Sequence, residues 1–399
     1  MSTTPASSER PEKLNLRPIL LAVSVATVGV LPSFLTGGLA VQIRGEIGFG
    51  AGALGLAVAV FFVVSSLSSA FAGRVVERIG SHTAMRASSL VGVLSLLAVA
   101  VFAGSWWGLV ACLVLGGMGN AIAQPATNLM LAREVPGGRQ GLAFGVKQAA
   151  IPVATLLAGL AVPVLAVTVG WRWAFAGGAL LALLISLLVP REYDGESASR
   201  VKESRAGDAP LAALILLAVG IGLGSTAATP LGAFVVESAA STGVDVGVAG
   251  LLLALGSGVG IAVRVVAGHL ADGMTGGRLR LVAGMLAVGT AGFAMLASGS
   301  PGLLVVGVVL AFGAGWGWPG LFNFAIVKSN PKAPAAATGI TQTGASGGAA
   351  LGPLLFGYTV EATSFGTAWL AAGIVSLLAA AAILAGRRML VRAREEPVS

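Results

Sequence analysis

A chain of 399 residues that is 56% hydrophobic and only 10% charged, with 59 glycines, is not a soluble domain, whose surface needs about a quarter of its residues charged. Its net charge of +8 does not point to nucleic acid, because the bases sit at the ends of apolar runs, where membrane orientation and anionic lipid account for them. The single cysteine, Cys112, lies inside an apolar run, which excludes an intrachain disulfide and argues against redox chemistry.

A membrane-crossing helix needs about 20 mostly apolar residues, and the chain contains twelve such runs. A polar tail, residues 1–17, precedes them, and the first run carries no small-residue cleavage site, so it reads as a span and not a removed signal. The first six runs are roughly 18–41, 50–72, 84–104, 107–131, 142–167 and 172–190. Residues 191–209, rich in charge, Gly, Ser and Ala, form a linker. The second six are roughly 210–236, 246–270, 280–299, 302–327, 338–360 and 366–386, and an arginine-rich tail, 387–399, closes the chain. The expected fold is an all-α polytopic membrane protein of two pseudo-symmetric six-helix bundles, 18–190 and 210–386.

An even number of crossings puts both termini on one side. All 24 Lys and Arg residues except Arg44 and Arg172 fall on that side, so the termini are expected in the cytoplasm of a cell whose inner or plasma membrane holds the protein. Two of these bases, Lys147 and Arg264, lie several residues inside the predicted spans.

The halves also repeat in register. Asn128 and Pro136 recur as Asn323 and Pro331, Gly145 and Gln148 as Gly339 and Gln342, and Trp173 and Gly177 as Trp369 and Gly373, at nearly constant offset. Six spans per half make the repeats parallel, related by an axis along the membrane normal, which is the architecture of secondary transporters.

Between the second and third runs lies a short charged turn, Gly73-Arg74-Val75-Val76-Glu77-Arg78-Ile79-Gly80-Ser81-His82. A degenerate second copy, Gly268 to Asp272, follows the eighth run. On these residues the chain resembles the major facilitator superfamily over essentially its whole length. The resemblance implies alternating access of two six-helix halves, a cavity lined by the first, fourth, seventh and tenth spans, and a conformational latch at Gly73, Glu77, Arg78, Gly80 and Asp272. Glu77 stands where the family more often has Asp, and Ser81-His82 replaces a basic pair. The fourth run lacks the arginine of the family's proton-antiporting drug exporters.

Polar residues inside the runs are the candidate site. Asn120, Gln124 and Asn128 fall on one helical face, lining a cavity or bonding to neighbouring helices. Trp316, Asn323 and a helix-breaking Pro319 lie in the tenth run, and Gln342 in the eleventh. Lys147 and Arg264 are the strongest candidates, since an ionisable residue within a span is costly. Each is also close enough to the cytoplasmic end of its helix to snorkel. With no acid in either span to neutralise them, they point to a small organic or inorganic anion as substrate, and an anion between them would turn repulsion into attraction as the halves close. The two histidines, His82 and His269, read as solvated loop residues.

No carboxylate lies deep in a span, which favours facilitated movement or exchange over proton antiport, with Glu237 the remaining candidate proton carrier. The alternatives are a proton-coupled exporter of a hydrophobic or drug-like compound and a non-transporting membrane sensor on the same fold. An enzyme is not expected, because no nucleophile–base pair or metal-ligand cluster falls within the runs, and no P-loop is present. No metal or cofactor is expected. The expected partners are a small solute and the lipid bilayer, and the protein is expected to be a monomer.

Overall fold

The computed structural model describes residues 16–136, 139–191, 209–272, 274, 276–331 and 333–395. All regular structure among them is helical. Hydrocarbon offers no partner for backbone N–H and C=O groups, so a crossing segment has to satisfy them within itself.

The first span is α1 (Arg17–Gly38), continued after Leu39 by a short α2 (Ala40–Ile47). The next three are α3 (Ala51–Ile79), α4 (Ser81–Phe102) and α5 (Trp106–Glu134). The fifth is divided into α6 (Gln140–Lys147), α7 (Ala150–Ala161) and a π turn (Val162–Ala166), and the sixth is α8 (Trp171–Leu188). The second half follows with α9 (Leu211–Ser241), α10 (Val246–Asp272) and α11 (Arg278–Ala297). Its tenth span is divided into α12 (Pro301–Leu310), a π turn (Ala311–Gly315) and α13 (Pro319–Ser329), before α14 (Pro334–Ala362) and α15 (Phe365–Glu395). We call the face bearing residues 16 and 395 the terminal face and the other the distal face.

Among the described residues, 11 of these segments are long and apolar enough to cross a membrane. The remaining span, α14, is 29 residues long but rich in Gly, Ala, Ser and Thr. Its composition follows from its position between α9 and α3. Side chains at Gly344, Gly348 and Gly352 would collide with the carbonyls of Ala218, Gly222 and Thr226 on α9. Bare backbones at that crossing allow close approach where lipid supplies no hydrophobic drive.

In the first half α5 packs on α1, α3 and α4, and α8 on α4. In the second half α9 packs on α14 and α15, and α11 on α12 and α15. The halves meet where α3 lies on α14, α7 on α10 and α1 on α9. On the distal side that contact is backbone to backbone, since a side chain at Gly37 would strike Ala233 and one at Gly55 the Pro353 carbonyl. Outward-facing Leu67, Phe71, Val101, Phe102, Trp107 and Leu187 form part of an exposed apolar belt.

Several boundaries differ from the sequence expectation. The turn expected at residues 73–82 is a single joint: α3 runs unbroken through Gly73, Glu77 and Arg78, and Gly80, at φ 83°, links it to α4. The arginine-rich tail expected from residue 387 is helical to Glu395. Charged residues at a helix end outside the bilayer do not interrupt the helix, so hydropathy reports where the membrane stops and not where the helix stops. The linker from 192 to 208, residues 1–15 and residues 396–399 lie outside the described residues.

Candidate functional site

Two spans are broken, each where a proline removes a backbone donor. Pro152 has no N–H for the carbonyl of Gln148, one turn earlier, and α6 ends at Lys147. The chain passes through two tight turns, with Gln148 N–H donating to Gly145 O (3.1 Å) and Ala149 N–H to Val146 O (2.9 Å), before α7 begins.

Lys147 at this break is only 7% exposed. Its Nζ donates to Asn128 Oδ1 (2.6 Å), Gln124 Oε1 (3.0 Å) and the Gln124 carbonyl (3.4 Å). Gln124 Nε2 donates in turn to Asn120 Oδ1 (3.2 Å), and Asn120 Nδ2 to Ser65 Oγ on α3 (2.8 Å). Every bond in the chain runs away from the ammonium, so the carbonyl ends of two amides solvate the charge without neutralising it. Asn120 is a buried interhelical bond, while Asn128 is exposed although it lies within a span.

Pro319 breaks the tenth span in the same way, denying an N–H to Gly315 O. The freed carbonyls are satisfied by side chains: Trp318 Nε1 donates to Gly315 O (2.8 Å), and Arg264 Nη2 to Trp316 O (2.5 Å). Arg264 is 8% exposed, and its Nε is buried without a hydrogen-bond partner among the described residues. Its Nη1 lies 3.5 Å from the point a Cβ on Gly260 would occupy, one turn back along α10 and away from the terminal face. The guanidinium therefore turns toward the middle of the tenth span, in the direction opposite to snorkelling.

No ion pair joins Lys147 or Arg264 to an acid among the described residues. Lys147 is held by the fourth span and Arg264 by the tenth, and α6 touches both α10 and α13. Trp316 is buried at an aromatic cluster, 6.0 Å from Phe34 and 5.8 Å from Phe312 between ring centroids, with Phe62 6.3 Å from Phe34. Trp318 is fully buried and belongs to the packing of the second half. Asn323 is half-buried and Gln342 exposed, and neither joins these networks.

The distal face holds polar contacts that the sequence did not pair, among them one made by Glu237, the candidate proton carrier. Arg44 on α2 is ion-paired with Glu237 on α9, and Arg44 Nε donates to Phe49 O (2.8 Å). Glu361 on α14 accepts the Gly52 N–H of α3 (2.9 Å) through Oε2. Burial lowers the affinity of Arg44 for its proton, and the Glu361 carboxylate opposes that shift. A cavity of about 570 Å³ opens beside this contact, lined by Arg44, Phe49, Glu237, Ser241 and Phe365 among others. Arg172 pairs with Glu46 (2.5 Å) on the same face.

Glu77 and Arg78 make no ion pair among the described residues, and the Asp272 side chain lies outside them. His269 is exposed, but His82 is buried in the first turn of α4 with Nε2 3.2 Å from Glu134 Oε1, contrary to the expectation of a solvated loop residue. The helix resumes immediately after Gly80 and buries it. Among the described residues no three His, Cys, Asp or Glu side chains could together hold a metal ion.

Two groups of membrane-crossing helices, with broken spans and buried polar side chains, form a multi-pass membrane protein, and its family makes it a transporter and not an enzyme. The chain belongs to the Major Facilitator Superfamily, whose family model matches residues 21–287 and 214–398. Two solved structures are a bacterial homolog to the human lysosomal transporter Spinster. The inward-facing, occupied one has a TM-score of 0.75 at 16% identity and covers 95% of this chain and 98% of its own. The inward-facing, unoccupied one has a TM-score of 0.70 at 15% identity, covering 96% and 98%. A mutant of the nucleoside transporter NupG has a TM-score of 0.72 at 13% identity, covering 92% and 99%. At these identities the likeness concerns the fold alone. No curated protein matches by sequence.

Proposed function

We propose that this transporter moves a small anion by alternating access of its two halves, 18–190 and 210–386, with Lys147 and Arg264 as its charged binding residues. The observation that carries the reading is that both bases are buried and that every hydrogen bond they make among the described residues goes to a neutral oxygen. A buried charge without a counterion is expensive. The expense is retained where a ligand of opposite charge completes the site. Two cations held apart by neutral groups also repel as the halves close, by about 4 kcal/mol at about 4 Å for an effective dielectric near 20. A bound anion reverses that sign and couples occupancy to closure.

In this reading Asn120, Gln124 and Asn128 support Lys147, while Trp316 supports Arg264. Asn323 and Gln342 line the path toward the terminal face. That face is cytoplasmic, in the plasma membrane, as the distribution of bases supports. The protein works as a monomer, by facilitated movement or exchange. Glu77, Arg78 and Asp272 pair only when the terminal face closes.

Counterflow in proteoliposomes with a panel of labelled carboxylates and inorganic anions tests the proposal. Lys147→Gln and Arg264→Gln should each abolish the flux of whichever anion the wild type moves, while the purified variants remain monodisperse. Full flux in both variants, or no flux of any anion in the wild type, would overturn it.

A further inference from the structure

The two bases differ in what they still have to offer a ligand. Lys147 faces three oxygen acceptors on a group with three N–H bonds, so none is left over. Arg264 has a buried Nε–H with no partner among the described residues and spends one Nη2 bond on the Trp316 carbonyl. Beside it Gly260 presents no side chain, and Phe312 O and Pro152 Cβ lie 3.6 and 3.8 Å from the point its Cβ would occupy. The residue whose carbonyl Arg264 grips also contributes its indole to an aromatic surface drawn from both halves. Phe34 comes from α1, Phe62 from α3, and Phe312 and Trp316 from the tenth span. Phe62 is half-buried, so the surface is not wholly closed.

We propose, resting on the anion reading above, that the substrate is a planar carboxylate bearing an apolar ring, bound directly by the Arg264 guanidinium against Trp316 and Phe62. Lys147 supplies positive potential through its amide shell without touching the ligand. The guanidinium fork matches the two oxygens of a carboxylate in one plane, whereas an ammonium acts as a point charge. A ring stacked on Trp316 replaces ring–ring contacts with others of the same kind. A spherical or tetrahedral inorganic anion would leave this aromatic surface unused. A zwitterion or an amine would find no acid paired with either base among the described residues. As the carboxylate engages Nε and the adjoining Nη2, the Trp316 carbonyl is released to the Gly320 N–H, one turn on, so occupancy also alters the break in the tenth span.

The test is equilibrium binding to the full-length protein in detergent, by calorimetry, of benzoate, acetate, sulfate and the neutral isostere benzamide. Benzoate should bind at least tenfold more tightly than acetate or sulfate, and benzamide should not bind. Arg264→Lys should weaken benzoate at least tenfold. Trp316→Leu and, should that variant not fold, Phe62→Leu should reduce the benzoate-to-acetate preference toward unity. Sulfate binding as tightly as benzoate would overturn this inference and leave the anion reading standing. Benzamide binding as tightly as benzoate would overturn both. Failure of benzoate to bind folded wild-type protein would overturn the inference, with sulfate then deciding the anion reading by itself.

Discussion

Arg44 of α2 and Glu237 of α9 form an ion pair that ties the first half of the molecule to the second on the distal face, with side chains 26% and 14% exposed. The partners belong to different halves, so the bond exists only while the halves are closed together on this side, where the Glu361 carboxylate of the second half also acts on Arg44. Glu237→Gln removes a charge-assisted interaction worth about 1.5–3 kcal/mol. Each 1.4 kcal/mol corresponds to about a tenfold change in population. Ala233→Cys, buried against Gly37, should label with an impermeant maleimide at least tenfold faster in the Glu237→Gln background. Equal labelling rates in both backgrounds would show that the pair does not hold the distal face closed.

Glu46 gives a pH dependence with a definite sign. The Arg172 hydrogen bond, and after it the bond from the Trp171 indole (2.7 Å), hold its carboxyl below the ordinary carboxylate range. The stabilisation is therefore complete above the ordinary glutamate pKa of about 4.3 and is lost as pH falls through the lower folded value. Melting temperatures of wild type and Glu46→Gln should differ at pH 7 and converge below about pH 4. A gap that widens on acidification would contradict the assignment. The effect should be small, because the pair is largely exposed.

The tenth-span break separates two roles for its residues. Trp318→Phe leaves Gly315 O without its indole donor and should destabilise the protein by about 1–3 kcal/mol, the cost of an unsatisfied buried acceptor. Pro319→Ala restores the missing N–H, so it should raise the melting temperature while slowing counterflow, because a continuous ladder stiffens the hinge. A Pro319→Ala variant with unchanged flux would mean that the break carries no motion.

Gly348→Val tests the close crossing of α14 and α9. The added side chain meets the Gly222 carbonyl, a backbone atom that cannot rotate away. Overpacking of this kind costs about 1–3 kcal/mol. The expected result is a lower melting temperature in detergent, whereas Gly347→Val, in open space on the same helix, should leave it unchanged.

Much of the architecture was legible because lipid imposes a length and an apolarity on every crossing. Lys147 and Arg264 stood out for the same reason, and the periodicity of Asn120, Gln124 and Asn128 placed them on one face. What they bond to was not legible: Lys147 meets a neighbouring span whose register depends on the whole bundle. The break after Lys147 did have a signal, since Pro152 stands one turn beyond Gln148. The Arg44–Glu237 pair had none, because the partners lie in different halves and meet only in one arrangement of them. The continuation of α3 through Gly73 and of α15 past Arg387 escaped hydropathy for a general reason. A helix in water beyond the bilayer needs no apolar residues.

The length of α15 has a practical consequence. Its 31 residues rise about 1.5 Å each, some 46 Å in all, against a hydrocarbon core of about 30 Å. The surplus is a rigid lever standing clear of the lipid on the terminal face. A helical fiducial fused in phase after Glu395 would move as one body with the second half. Particle images of this small protein could then be aligned, and the tilt of one half against the other read directly from the angle of the attached rod.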